Sequence, residues 1–169
     1  MPKKKKRNFI LIVMLVCTNF IFAQNYLLPN EQLIYSFETQ NGKKMVLAKD
    51  QNHKYIIYRF GTKSKVDFEF PDKTKESWNK FTYSFYLRGG GKQNEGMDLN
   101  YVTFTNENFK YVIYNTYYAV ENHTLIGIKV TDLIEKKTID IKGKKNTRKG
   151  SLVDFRFDKL LKIEDQLEE

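Results

Sequence analysis

The chain has 169 residues, with 29 Lys and Arg against 20 Asp and Glu, 13 Phe, 11 Tyr and one Cys. Taking away the first 23 residues removes five basic side chains and no acidic one, so the formal charge of +9 falls to +4, and Cys17 goes with them. What remains is enough for one domain with a single core and too weakly basic to imply nucleic acid. Without a thiol, it excludes a disulfide framework, a cysteine zinc site and a cysteine nucleophile.

Lys3, Lys4, Lys5, Lys6 and Arg7 form a basic stretch, an apolar run from Phe9 to Phe22 follows, and Ala23 supplies the small residue that signal peptidase needs. The expectation is a signal peptide over 1–23 and a single β-rich domain over 24–169, in the periplasm or outside the cell. The basic run also resembles a nuclear localisation signal, but an apolar stretch directly behind it is what export requires. A run of 14 residues falls short of the ~20 that span a bilayer. Contact with a membrane is therefore expected only through this segment, if it stays uncleaved. Val16 before Cys17 argues against lipoprotein processing.

From Leu33 the hydrophobic period is two. Leu33, Tyr35 and Phe37 alternate with Ser36 and Glu38, and Asn41-Gly42 provides the positive φ of a tight hairpin. Strands follow near 43–49 and 55–60. Val66, Phe68 and Phe70 then alternate with Asp67 and Glu69 until Pro71. Residues 72–80, with the lone Trp78, read as a loop or one helical turn. Phe81, Tyr83, Phe85 and Leu87 share a strand face, and Leu99, Tyr101 and Thr103 alternate with Asn100 and Val102 in the next strand. Further strands are predicted at 109–118, 124–131 and 137–142. After a basic loop, 152–157 alternates like a strand and 158–168 has the spacing of a short amphipathic helix. Eight or nine short antiparallel strands imply an all-β fold, a small barrel or a sandwich, with the barrel favoured because closure removes edges. Tyr35/Phe37, Val66/Phe68/Phe70 and Phe81/Tyr83/Phe85 are the sets expected to face inward. The strands are shorter than the ~9–11 residues of membrane barrels.

No P-loop, G-x-S-x-G or H-E-x-x-H motif occurs, and His53 and His123 sit in turns as surface residues do. No cofactor and no metal is expected. Asp67 and Glu69 could share a substrate, but their alternation with apolar neighbours makes them the solvent side of a strand. The segment Arg88-Gly89-Gly90-Gly91-Lys92, followed by Asp98, Asn100 and Tyr101, is the candidate binding site. Consecutive glycines can aim backbone N–H groups into one concavity, with Arg88 and Lys92 beside it, and hold a carboxylate or phosphate. The structural alternative is a hairpin connection in which Arg88 pairs with Asp98 across the strands.

The stretches Tyr58-Arg59-Phe60-Gly61-Thr62, Leu87-Arg88-Gly89-Gly90-Gly91 and Asn94-Glu95-Gly96-Met97-Asp98-Leu99-Asn100-Tyr101 resemble those of small exported proteins of Gram-negative bacteria. The resemblance implies export and supplies no activity. The Ala23-Gln24 junction is similar to export signals of the Bacteroidetes. The order of strands resembles that of periplasmic inhibitors of C-type lysozyme, whose cysteine pair and Ser-Gly inhibitory loop are missing here. The expected function is a non-enzymatic binding module, inhibitor-like, acting on a protein, peptide or glycan. The alternatives are a small-ligand carrier with an apolar interior and a carboxylate-based hydrolase.

Overall fold

Alternating side chains pair into two sheets in the computed structural model, which describes residues 26–167. The expected signal segment and Cys17 lie outside the described residues. The first sheet is an antiparallel meander of β1 (Glu31–Glu38), β2 (Lys44–Asp50), β3 (Ile56–Gly61) and β4 (Val66–Phe70). The second is another, of β5 (Phe81–Arg88), β6 (Met97–Asn106), β7 (Phe109–Tyr118), β8 (His123–Asp132) and β9 (Lys137–Lys142). Two short strands complete the edges, β10 (Lys149–Gly150) antiparallel to β1 and β11 (Lys162–Ile163) parallel to β5.

The sheets stack as a sandwich, which corrects the preference for a closed barrel. They touch through the backbone at one corner, where Thr39 bridges Gly143. On the other side, a 3-10 turn over Lys75–Lys80 stands between β4 and β5. Its Ser77 hydroxyl accepts the Ile56 N–H at 2.9 Å, and Trp78 donates to the His53 carbonyl at 3.1 Å. Both bonds tie this turn to the start of β3 and to the β2–β3 turn.

Tyr35, Phe37, Met45, Leu47, Ile56 and Tyr58 from the first sheet meet Phe81, Tyr83, Val102, Phe104, Ile113, Ile126 and Ile128 from the second. Tyr35/Phe37 and Phe81/Tyr83 thus face inward as expected, with Phe85 half-buried behind them. Leu33 and Val66 do not. A bulge between Leu33 and Tyr35, and another between Phe60 and Gly61, switch the face of every residue beyond them. Leu33 and Val66 join Tyr26, Val46, Ala48, Tyr55 and Ile57 on the outer side of the first sheet. The second sheet is also covered outside, where Leu99, Tyr101, Val112 and Tyr114 pack with Leu167 of the tail.

The short helix expected near the C-terminus is present, but helix and strand come in the reverse of the expected order. Residues 152–157 hold a helical turn, α1 (Phe155–Asp158), because Leu152 and Phe155 are buried three apart while Phe157 is 76% exposed. The helix expected over 158–168 is replaced by β11. Lys159 at φ 53 ends the turn, the Asp158 carboxylate accepts the Leu160 N–H at 3.0 Å, and the Glu164 N–H bonds to the Tyr83 carbonyl at 2.9 Å. A short helix is marginal by itself, and the unpaired edge of β5 offers the backbone more.

Candidate functional site

The inner face of the second sheet changes chemistry along its length. Strand register sets four side chains in each row across β5 to β8, starting with Phe81, Phe104, Tyr111 and Val130. The next row is Tyr83, Val102, Ile113 and Ile128, the third Phe85, Asn100, Asn115 and Ile126, and the last Leu87, Asp98, Tyr117 and Thr124. The interior is therefore apolar at one end of the sandwich and polar at the other.

At the polar end lies a cleft of about 340 Å³, lined from the sheet by Asp98, Asn100, Asn115, Tyr117 and Thr124. Its far wall is the chain running through Arg148, Gly150, Ser151 and Val153. Gly150 has φ +75, and a Cβ there would fall 1.9 Å from the Ile34 carbonyl oxygen at the β1 bulge. Gly150→Ala is expected to lose at least about 2 kcal/mol, from left-handed strain and the clash together. A thermal melt of the variant checks this, and an unchanged Tm would mean that the wall is not held by this close approach.

Below the cleft, Arg156 is almost buried, with 7% of its side chain exposed, and forms an ion pair with Asp98. It also donates to the Asn100 Oδ1 at 2.7 Å and to the Tyr83 hydroxyl at 3.2 Å, and it lies 4.7 Å from the centre of the Phe85 ring. Tyr83 donates to the Asn100 Oδ1 at 2.6 Å, while the Asn100 amide donates to Asp98 at 2.8 Å. Burial pushes the Tyr83 hydroxyl up, and the adjacent Arg156 only partly opposes it. Burial also works against the charge of Arg156, but bonds to Tyr83 and Asp98 outweigh it, so the guanidinium is held charged. These partners fix the floor and occupy Asp98.

Above the floor the polar groups are open. The Asn115 Oδ1 accepts only a long 3.4 Å bond from Arg148. Among the described residues, the Asn115 side-chain amide and the Thr124 hydroxyl have no hydrogen-bond partner, and Arg148 has no acidic one. The cleft can thus offer an amide, hydroxyls and a guanidinium to a ligand, with the 38%-exposed Tyr117 ring beside them.

The candidate residues named from sequence divide into three groups. Asp98 and Asn100 belong to this cleft. Tyr101 is buried on the opposite face of the sheet. Arg88 ends β5 and Gly89, Gly90, Gly91 and Lys92 begin the β5–β6 connection at the same end of the sheet, but none of the five lines the cleft. Gly90 and Gly91 take positive φ, and the loop closes on itself through the Asn94 amide to the Gly89 carbonyl at 2.9 Å and the Gly96 N–H to the Gly91 carbonyl at 2.8 Å. The pairing of Arg88 with Asp98, the structural alternative to an anion site, does not form either. Register sets Arg88 opposite Met97, so it projects to the other face, where it lies 3.9 Å from Glu95.

Asp67 and Glu69 are on β4, tied to Lys43 and to Arg59 and Lys73, which suits the solvent side of a strand. Among the described residues, no group of three His, Cys, Asp or Glu is placed to hold a metal. Sequence reading missed Asn115, Tyr117, Thr124, Arg148 and Arg156, which meet only through register and the folded tail. Comparison with family models, curated proteins and solved structures finds no match to this chain.

Proposed function

We propose that the protein is an exported, non-enzymatic binding protein that takes a glycan in the cleft between Asn115, Tyr117, Thr124 and the 148–153 wall. The observation that carries this reading is the polar end of an otherwise filled interior. Sugar hydroxyls both donate and accept hydrogen bonds, and the carboxamide and hydroxyls of the cleft do the same. The Tyr117 ring offers an apolar surface to a sugar face.

Binding is favoured over hydrolysis because glycoside cleavage uses two carboxylates at a set separation. Asp98 is the carboxylate lining this cleft, and Arg156 and Asn100 already engage it. A carrier of apolar ligands would need a hollow core. Here Phe104 lies 4.6 Å from Tyr111, 4.8 Å from Phe70 and 4.9 Å from Tyr58, ring centre to ring centre, where a ligand would have to sit.

A glycan array carrying neutral and acidic oligosaccharides tests the reading. The protein is expected to bind a subset, and Tyr117→Ala together with Asn115→Ala is expected to lower that signal at least about tenfold while circular dichroism is unchanged. Binding that persists in the double variant would refute the site. Export rests on the basic and apolar N-terminal segments. The protein isolated from its host is expected to begin at Gln24, and a cytosolic protein beginning at Met1 would refute export.

A further inference from the structure

The cleft continues past Arg148 into a smaller pocket of about 120 Å³ lined by Thr124, Ile126, Lys145 and Arg148. Thr124 and Arg148 border both cavities, so the guanidinium stands at their junction. The charges do not cancel there. Asp98 is matched by Arg156 below it, which leaves Arg148 and Lys145 in excess.

The surrounding segment is basic as well, although strand pairing sets Lys142 and Lys149 on the outer faces of their sheets. Lys142, Lys144, Lys145, Arg148 and Lys149 put five cations into eight positions, and none makes an ion pair among the described residues. A run of like charges ordinarily stays loose in solvent. This one is pinned. The Lys144 N–H donates to the Glu38 carbonyl at 2.7 Å, the Glu38 N–H to the Thr147 hydroxyl at 2.8 Å, and that hydroxyl to the Lys144 carbonyl at 2.7 Å. Holding like charges together costs repulsion that a bound anion relieves.

We infer that the glycan is anionic, with an acidic substituent on Arg148 and Lys145 while neutral hydroxyls meet Asn115, Tyr117 and Thr124. A uronate carboxylate and a sulfate ester share the chemistry, an oxyanion that accepts the planar fork of a guanidinium. This inference rests on the glycan reading of the cleft.

Titration calorimetry of the full chain tests it with four probes: an oligomannuronate, a sulfated galactan oligomer, a neutral manno-oligosaccharide of matching length, and a polyglutamate peptide. At least one acidic sugar is expected to bind about tenfold or more tighter than the neutral one at low ionic strength, with the gap narrowing as salt is added. Whichever acidic sugar shows the gap identifies the substituent. Arg148→Gln is expected to bring the ratio of acidic to neutral affinity close to one, and Lys145→Gln to reduce it by a smaller factor. Both positions are exposed, so the substitutions leave folding intact.

Equal binding of neutral and acidic sugars would overturn the inference and leave the glycan reading standing. Binding of none of the sugars would remove that reading and the inference with it. Preference for polyglutamate would assign the site to an acidic peptide. An acidic preference that survives both substitutions would place the anion elsewhere and overturn the assignment to Arg148 and Lys145.

Discussion

Replacing Glu31 with alanine is expected to destabilise the protein by about 3–5 kcal/mol, seen as a lower urea midpoint with little change in slope. Glu31 and Arg59 are buried on the outer side of the first sheet, with 0% and 2% of their side chains exposed. The guanidinium meets both Glu31 oxygens, at 2.6 and 2.7 Å, and donates to Glu69 at 2.5 Å and to the Tyr26 carbonyl at 2.9 Å. Glu31 also accepts the Leu28 N–H at 2.8 Å and the Tyr55 hydroxyl at 3.0 Å. Removing Glu31 strands a buried guanidinium, whose remaining carboxylate, Glu69, lies on the half-exposed edge strand. The desolvation of Arg59, which the pair had offset, then falls on the folded state alone.

The same network sets a pH dependence. Burial raises the Glu31 pKa, but the bonds from Arg59, the Leu28 N–H and Tyr55 outweigh it and leave the carboxyl below the usual range. Glu69 is held low in the same way, with Lys73 and Arg59 overcoming burial. A carboxyl lowered on folding stabilises the protein above its unfolded pKa of about 4.3, and the gain is lost as pH falls through the lower folded value. Stability is therefore expected to fall on acidification below about pH 4.5. Glu31→Gln should flatten that fall, and an unaltered acid profile would show that Glu31 does not contribute to it.

Phe104→Ala is the second large effect, about 3–5 kcal/mol. Phe104 is 2% exposed and its ring touches four others: Tyr58, Phe70, Phe81 and Tyr111. Its removal leaves a cavity walled by rings from both sheets, which cannot collapse without moving strands that are fixed by register. Phe68 makes a useful control. It also contacts Tyr58, Phe70 and Tyr111, but it is half-buried on the edge strand β4, where water reaches part of the space its ring leaves. Phe68→Ala is expected to cost less than half as much, about 1–2 kcal/mol. Equal losses in the two variants would mean that the aromatic cluster has no distinct centre.

Period-two patterning and turn residues made most strands legible, and β4, β7 and β9 have the bounds expected from the sequence. The bulges at β1 and at β3–β4 were not legible, because an inserted residue in an apolar run such as Leu33-Ile34-Tyr35 leaves no mark on the alternation. The tail was misread because Leu152 and Phe155 answer to a core they reach only after folding, and residues 162–163 answer to the edge of β5. Asp98 and Asn100 were found through their nearness to the glycine loop, yet their partner is Arg156, 58 and 56 residues along the chain. One signal was present. Counting back from the turn between Asn106 and Phe109 pairs Asn100 with Asn115, two carboxamides where the neighbouring row holds Val102 and Ile113. A matched polar pair on an inward face marks the place where the interior meets solvent.

The most direct test of the cleft as the binding site is a backbone amide NMR titration with mixed neutral and mannuronate oligosaccharides. Saturable shifts are expected at Asn100, Asn115, Tyr117, Thr124, Gly150 and Ser151, with residues 89–96 and the outer residues Tyr101 and Tyr114 unmoved. The absence of any shift, or shifts confined to the glycine loop or the outer face, would contradict it.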